Sequence, residues 1–283
     1  MKTIRLLYPD HLGGGLDTYW FGAQVLQYIL PANSRQKTVT VDIAPPDGTQ
    51  KPVQDGIYAK DEVLAGIRDA AAKLDAENPD RVITIGGDCL VSLAPFDWLH
   101  AKYPAAGIIW IDAHPDVSRA KDGYPNAHAM VLGALLGSGE RTLVQTLRSL
   151  PFKPDELLYI GLQSLHPYQK AFLDAAGVNC RVQTYSFVSD AEIAAFAARF
   201  DQVLVHTDVD VLDERLFHST YFANPELKGD GSGGGKMTAA ELSHILRIID
   251  AHAEIAGLTI AEYLPFDEER LARAFSGIKL FSE

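Results

Sequence analysis

Cysteine is scarce in this chain: Cys89 and Cys180 are the only two in 283 residues. That excludes a disulfide framework and leaves at most one bridge, so reduced thiols are expected. Long apolar runs are missing as well. No stretch approaches the roughly 20 residues of a membrane span, and the opening MKTIRLLYPDHLGGG has too short an apolar run for a signal peptide. Basic charge is in deficit, with 25 Lys and Arg against 37 Asp and Glu, a net charge of −12. Nucleic acids and anionic membranes need a basic surface, so neither is expected as a partner. A soluble cytoplasmic protein is the expectation. What is present is ordinary for a globular chain: 47% hydrophobic and 22% charged residues, enough to bury a sizeable core. No linker, low-complexity tract or internal repeat divides it, so residues 1–283 read as a single domain.

Short apolar runs alternate with amphipathic ones. Residues 4–8, 38–43, 82–85, 107–111 (GIIWI), 157–160 (LLYI), 202–206 (QVLVH) and 258–260 have strand character. Residues 61–74, 190–199 and 238–253 carry apolar positions at helical spacing. Near-continuous apolar strands separated by helices predict an α/β fold, a mostly parallel sheet covered on both faces. Ligands of such sheets bind beyond the carboxyl ends of the strands.

Polar residues gather at those ends. GIIWI runs into Asp112-Ala113-His114-Pro115-Asp116, and QVLVH into Thr207-Asp208-Val209-Asp210-Val211-Leu212-Asp213. VITI runs into Gly86-Gly87-Asp88-Cys89. In extended backbone alternate residues share a side, so Asp112, His114 and Asp116 form one set and Asp208 and Asp210 another. A single Asp at a strand end reads as a turn former or helix cap. Two such sets directed at one point repel unless a cation lies between them. Carboxylates with an imidazole suit divalent ions such as manganese. Asp88 and Asp213 read as supporting residues.

The three segments in this order resemble the GGDH, DAHxD and SxDxDxxDP segments of the arginase/agmatinase/formimidoylglutamase (ureohydrolase) family. Gly234-Gly235-Lys236-Met237-Thr238 resembles the family's GGLT segment, and Leu258–Phe266 its last-strand segment with a glutamate. The resemblance runs from about residue 80 to the end. It implies a three-layer α/β/α sandwich around a mostly parallel eight-stranded sheet, assembled into trimers or hexamers. It also implies two divalent ions: Asp112 and Asp208 bridge both, Asp116 and position 89 complete one, and His114 and Asp210 the other. A bridging hydroxide would attack the central carbon of a guanidine- or amidine-type substrate and release an amine. The segment Asn126–Met130 resembles the one holding the family's proton-shuttling histidine, which makes His128 the candidate acid, with a surface loop histidine as the alternative. Glu262 matches the glutamate that pairs with a guanidinium, with a structural ion pair as the alternative.

The chain departs from the pattern where the family has histidine and it has Cys89. A thiolate there would soften one site toward zinc, iron or cobalt relative to manganese; a protonated thiol would bind the first ion weakly or not at all, and a small buried apolar residue is the plain structural reading. The substrate segments depart too. Ser118 and Tyr124 stand where arginases have an asparagine and a serine, and His166 and Gln169 where they have two acids, beside Asn126. Without those acids an α-ammonium group loses its partners, so a guanidine, amidine or hydroxyguanidine with a neutral or anionic tail is expected rather than L-arginine. Glu214 replaces the third segment's proline, and residues 215–235 form a longer glycine-rich loop, a lid or a tolerated insertion. A second reading is a family member with lost or altered catalysis and a structural or regulatory role. A third, nucleotide binding at Gly13-Gly14-Gly15 or GDGSGGGK, fails the phosphate-loop pattern because Met237 follows the lysine and no clear strand precedes the glycines.

Overall fold

The computed structural model describes residues 1–184, 186–228, 231–276, 278 and 280. The chain runs through strands β1 (Thr3–Tyr8), β2 (Lys37–Thr40), β3 (Val53–Gln54), β4 (Ile57–Tyr58), β5 (Arg81–Gly86), β6 (Gly107–Ile111), β7 (Leu157–Ile160), β8 (Gln202–Asp208) and β9 (Glu254–Ala261). Helices α1 (Thr18–Ile29), α2 (Lys60–Glu77), α3 (Leu93–Lys102), α4 (Val131–Leu135), α5 (Arg141–Val144), α6 (Pro167–Ala176), α7 (Asp190–Ala197), α8 (Ala239–His252) and α9 (Phe266–Ser276) connect and cover them.

The main sheet is wholly parallel, in the order β2-β1-β5-β9-β8-β6-β7. Strands β3 and β4 form a separate antiparallel ribbon. Period-two alternation builds two cores. Ile108 and Trp110 of β6 pack with α2, α3 and α4 on one face. Ile109 and Ile111 pack with Ile193 of α7 and Ile245 and Ile249 of α8 on the other. Ala23 and Leu26 of α1 cover Leu7 and Ile85 on that second face near the other edge. The result is the expected three-layer sandwich.

The helix boundaries follow local chemistry. Thr238 caps α8 in reciprocal bonds with Glu241, and Ser189 caps α7 with Glu192. Pro167 starts α6 and left-handed Gly177 ends it.

Among the described residues the main sheet has seven strands, where the family resemblance led us to expect eight. Residues 181–184 run beside the free edge of β7 without forming a ladder. The side chain of Gln183 takes that role: its Nε2 donates to the Tyr159 carbonyl and its Oε1 accepts from Gly161 N, both at 3.0 Å. The strand expected over 38–43 stops at Thr40 because Asp42 N is drawn to Asp69 Oδ2 (2.8 Å) and Pro45-Pro46 cannot donate. No helix among the described residues is long and apolar enough to cross a membrane.

Candidate metal centre

Four adjacent strands in the middle of the sheet, β5, β9, β8 and β6, end at one place. Each contributes a side chain there: Cys89 after β5, Glu262 after β9, Asp208 and Asp210 from β8, and Asp112, His114 and Asp116 after β6. The backbone is drawn tight to allow it. A Cβ on Gly87 would sit 1.7 Å from the Asp10 carbonyl oxygen, so only glycine fits. The Gly87 carbonyl in turn accepts Glu262 N at 2.7 Å. Asp116 (φ 49°) and Glu262 (φ 63°) hold left-handed backbone, which costs a non-glycine residue about 1–3 kcal/mol and is found at functional sites.

The acids divide by role. Asp88 accepts from Leu90 N (3.0 Å) and Gly14 N (2.6 Å), capping the turn Cys89–Ser92, and Asp213 holds Arg215 N and Nε. Both are supports, as expected. Asp208 Oδ1 accepts from Asp210 N at 2.7 Å, which turns its Oδ2 toward Cys89 Sγ at 3.0 Å. Asp112 accepts from His114 N at 2.6 Å and from Trp110 Nε1 at 2.9 Å. His114 Nδ1 lies 3.0 Å from Asp210 Oδ2 and 3.5 Å from Asp112 Oδ1.

Burial pushes the carboxyls of Asp112, Asp116 and Asp208 above the ordinary range, and repulsion from neighbouring acids adds to it. Burial, then Asp208 and Glu262, push the Cys89 thiol well up. Burial opposes the charge on His114, but the Asp210 and Asp112 carboxylates outweigh it and raise its pKa. Three buried atoms, Asp116 Oδ2, Asp210 Oδ1 and His114 Nε2, have no hydrogen-bond partner among the described residues. Orphaned polar atoms amid mutually repelling acids are what a bound cation relieves. Ligand atoms of Asp112, His114 and Asp210 lie within 4.8 Å of one another, as do those of Cys89, Asp112, Asp116 and His206, and those of Cys89, Asp208 and Glu262. The donor set therefore fits divalent metal ions.

Beside this cluster stands a hydrogen-bonded chain. His128 Nδ1 meets Glu262 Oε1 at 2.8 Å and its Nε2 meets Tyr124 OH at 3.0 Å. Tyr19 OH donates to Glu262 Oε2 at 2.9 Å. Burial raises the Glu262 pKa, but His128 and then Tyr19 reverse this and leave it lowered. Gly13-Gly14-Gly15 supports this wall: a Cβ on Gly14 would strike the Tyr19 ring at 2.3 Å, and Asn126 Nδ2 donates to the Gly14 carbonyl at 3.0 Å.

A cavity of about 350 Å³ opens over the cluster. Ser118, Tyr124, Asn126 and Gln169 line its wall, and Tyr221, Phe222, Lys228 and Ser232 enter from the loop 215–235. His166 does not line it. It stands one residue behind, its Nε2 3.2 Å from Ser232 Oγ, because Pro167 starts α6 there and turns Gln169 inward. Of the GDGSGGG stretch, Gly229 and Asp230 lie outside the described residues.

Two site residues escaped sequence reasoning. Tyr19 gave no signal, since helix α1 brings it in from far along the chain. His206 did carry one: alternation on β8 places His206 on the side of Asp208, but the apolar run around it reads as core.

Solved arginases share this architecture. The Entamoeba histolytica arginase crystallised with L-ornithine superposes with a TM-score of 0.75 at 18% identity, over 93% of this chain and 92% of that one. Formimidoylglutamase from Bacillus subtilis gives 0.62 at 16%, over 93% and 79%. Among curated relatives, the arginase of Eremothecium gossypii is 29% identical over 148 residues, 49% of this chain and 37% of that protein. The arginase of Staphylococcus aureus is 23% identical over 242 residues, 80% of this chain and 75% of that one. The first relative is thus matched over well under two thirds of its own length. The sequence pattern of the Arginase family matches residues 27–283, and the chain belongs to that family.

Proposed function

We propose that this protein is a binuclear metal-dependent hydrolase acting on a C–N bond of a linear guanidine or amidine other than L-arginine. The observation that carries the reading is the convergence of Cys89, Asp112, His114, Asp116, Asp208 and Asp210 from adjacent strand ends onto one cavity. These residues would hold the ions: manganese at the oxygen-rich set around His114, with zinc, iron or cobalt as the alternatives at Cys89. When bound, two divalent ions supply charge that neutralises the acids and lowers the pKa of water at the site.

The chain's own groups do the rest. Glu262 keeps lone pairs free beyond its bonds to His128 and Tyr19, and so can accept N–H groups of an amidinium or guanidinium. His128 Nε2 lies at the cavity wall on Tyr124, placed to pass a proton to a leaving amine, while Glu262 stabilises the imidazolium. Away from the acids the wall carries neutral Ser118, Asn126 and Gln169, and the cationic Lys228. That distribution suits a neutral or anionic tail. We assign the activity to one domain over residues 1–283, in a cytoplasmic homo-oligomer, trimeric or hexameric.

Metal-reconstituted protein tested against a guanidine and amidine panel is expected to release urea from guanidines, or ammonia from amidines. The burial that pushes the Cys89 thiol well up favours one alternative, a family member with altered catalysis in a structural or regulatory role. Two bound ions with no turnover across the panel would establish that alternative and refute the hydrolase.

A further inference from the structure

The position where this chain has Cys89 is the one where the family segment GGDH places a histidine, so one imidazole is missing from the expected donor set. Another stands close by. His206 lies on β8 directly opposite Trp110 of β6 in the parallel ladder, and the two rings stack at 3.7 Å with planes 11° apart. The Trp110 ring thus fixes the imidazole plane, and the residue is fully buried. Its Nδ1 meets Ser92 Oγ at 2.8 Å, from the same turn that begins at Cys89. Its Nε2 has no hydrogen-bond partner among the described residues. The nearest acid oxygen, Asp112 Oδ2, is 3.7 Å away and already accepts from Trp110 Nε1.

A ring nitrogen buried without a partner is costly unless something else engages it. In the tautomer whose Nδ1–H donates to Ser92 Oγ, the free lone pair lies on Nε2, the arrangement a metal-binding histidine adopts when its second nitrogen is held by a neighbour. Nε2 shares one neighbourhood with Cys89 Sγ and oxygens of Asp112 and Asp116, all within 4.8 Å of one another. Four ligands around a tetrahedral ion with bonds of about 2.0–2.3 Å stand roughly 3.3–3.8 Å apart, so closure asks for a contraction of at most about 1.5 Å.

We infer that His206 is a metal ligand, supplying to the Cys89 site the imidazole that position 89 itself lacks. The two sites are then chemically unlike. One is Cys89, His206, Asp112 and Asp116, a set of sulfur, nitrogen and oxygen donors that favours zinc. The other is Asp112, His114 and Asp210, richer in oxygen and suited to manganese. The inference rests on the reading of a metal centre at these strand ends.

The test uses metal-free full-length protein loaded with one equivalent of zinc and examined by X-ray absorption. The expected spectrum has one sulfur and one imidazole scatterer. His114→Ala is expected to keep both, and His206→Gln to lose the imidazole. Zinc affinity in His206→Gln is expected to fall by more than about 100-fold, beyond the 10–100-fold lost when a residue merely orients a ligand. Ser92→Ala, which removes only that orienting bond, falls within the smaller range. Zinc bound through sulfur with no imidazole in wild type overturns the assignment, whether or not any variant folds. So does zinc held without sulfur, or as tightly in His206→Gln as in wild type. Wild-type protein that takes up no ion is a different failure, since it refutes the metal centre itself.

Discussion

Replacing Asp116 by asparagine isolates what the cluster costs the protein when no cation is bound. Asp116 is buried, in left-handed backbone, with Oδ2 unpartnered. Burial, then repulsion from Asp112, hold its pKa well above 3.8. The sign follows from linkage. Below the unfolded-state pKa of about 3.9 the carboxyl is protonated in both states and contributes nothing. As pH rises above that value the unfolded chain ionises first, so metal-free wild type loses about 1.4 kcal/mol per pH unit until the native carboxyl ionises too. Asparagine keeps the shape, tolerates left-handed backbone and never ionises. In chelator, Asp116→Asn is therefore expected to be more stable than wild type by a margin that grows with pH and then levels. Saturating metal opposes that margin, because an ion at about 100 times its Kd adds about 2.7 kcal/mol to whichever protein retains the ligand. Urea unfolding at several pH values, with chelator and with metal, measures both effects. A margin in chelator that is flat or shrinks with rising pH would refute the reasoning, as would metal stabilising both proteins equally.

Cys89→His is expected to shift metal preference toward manganese, measured as bound-metal ratios after equilibration in mixed ions; an unchanged ratio would mean the thiol is not a ligand. Gly87→Ala forces a Cβ into the Asp10 carbonyl and is expected to cost about 3 kcal/mol or more in urea unfolding, at the top of the range for overpacking. Glu262→Gln removes the charge facing His128 and should lower kcat by about 100-fold or more, the scale of a general acid–base contribution. Tyr19→Phe, which keeps that charge, should cost less than about 10-fold, the equivalent of one hydrogen bond.

Much of the fold was legible because its signals are local. Strands β1, β5, β6, β7, β8 and β9 carry apolar runs readable along the chain, and β2 (KTVT) a β-branched one; their alternation with amphipathic segments predicts covered faces. What the chain could not display was the edge: Gln183 closes β7 through its side-chain amide, which no periodicity reports. The ribbon β3–β4 is too short to register. At the site, Asp112, His114, Asp116, Asp208 and Asp210 were legible because each follows an apolar strand at alternate spacing. Tyr19 was not, because only packing brings α1 against Glu262. The glycines at 13–15, which fail the phosphate-loop pattern, make room for Tyr19 and bind Asp88. Of the pair His166 and Gln169, it is Gln169 that reaches the cavity wall, which only the start of α6 at Pro167 decides.

The sequence by itself determined the parallel sheet, the family and the acids at the strand ends, because hydrophobic period and motif spacing are properties of neighbours in the chain. Only the tertiary structure decided which strands lie side by side. That order, β5-β9-β8-β6, brings residues more than a hundred positions apart within bonding distance, as Cys89 and Asp208 are. It also turned His206, which reads as core inside an apolar strand, toward Cys89 and the acids. A partnerless nitrogen is a fact of packing and cannot be read from any run of letters.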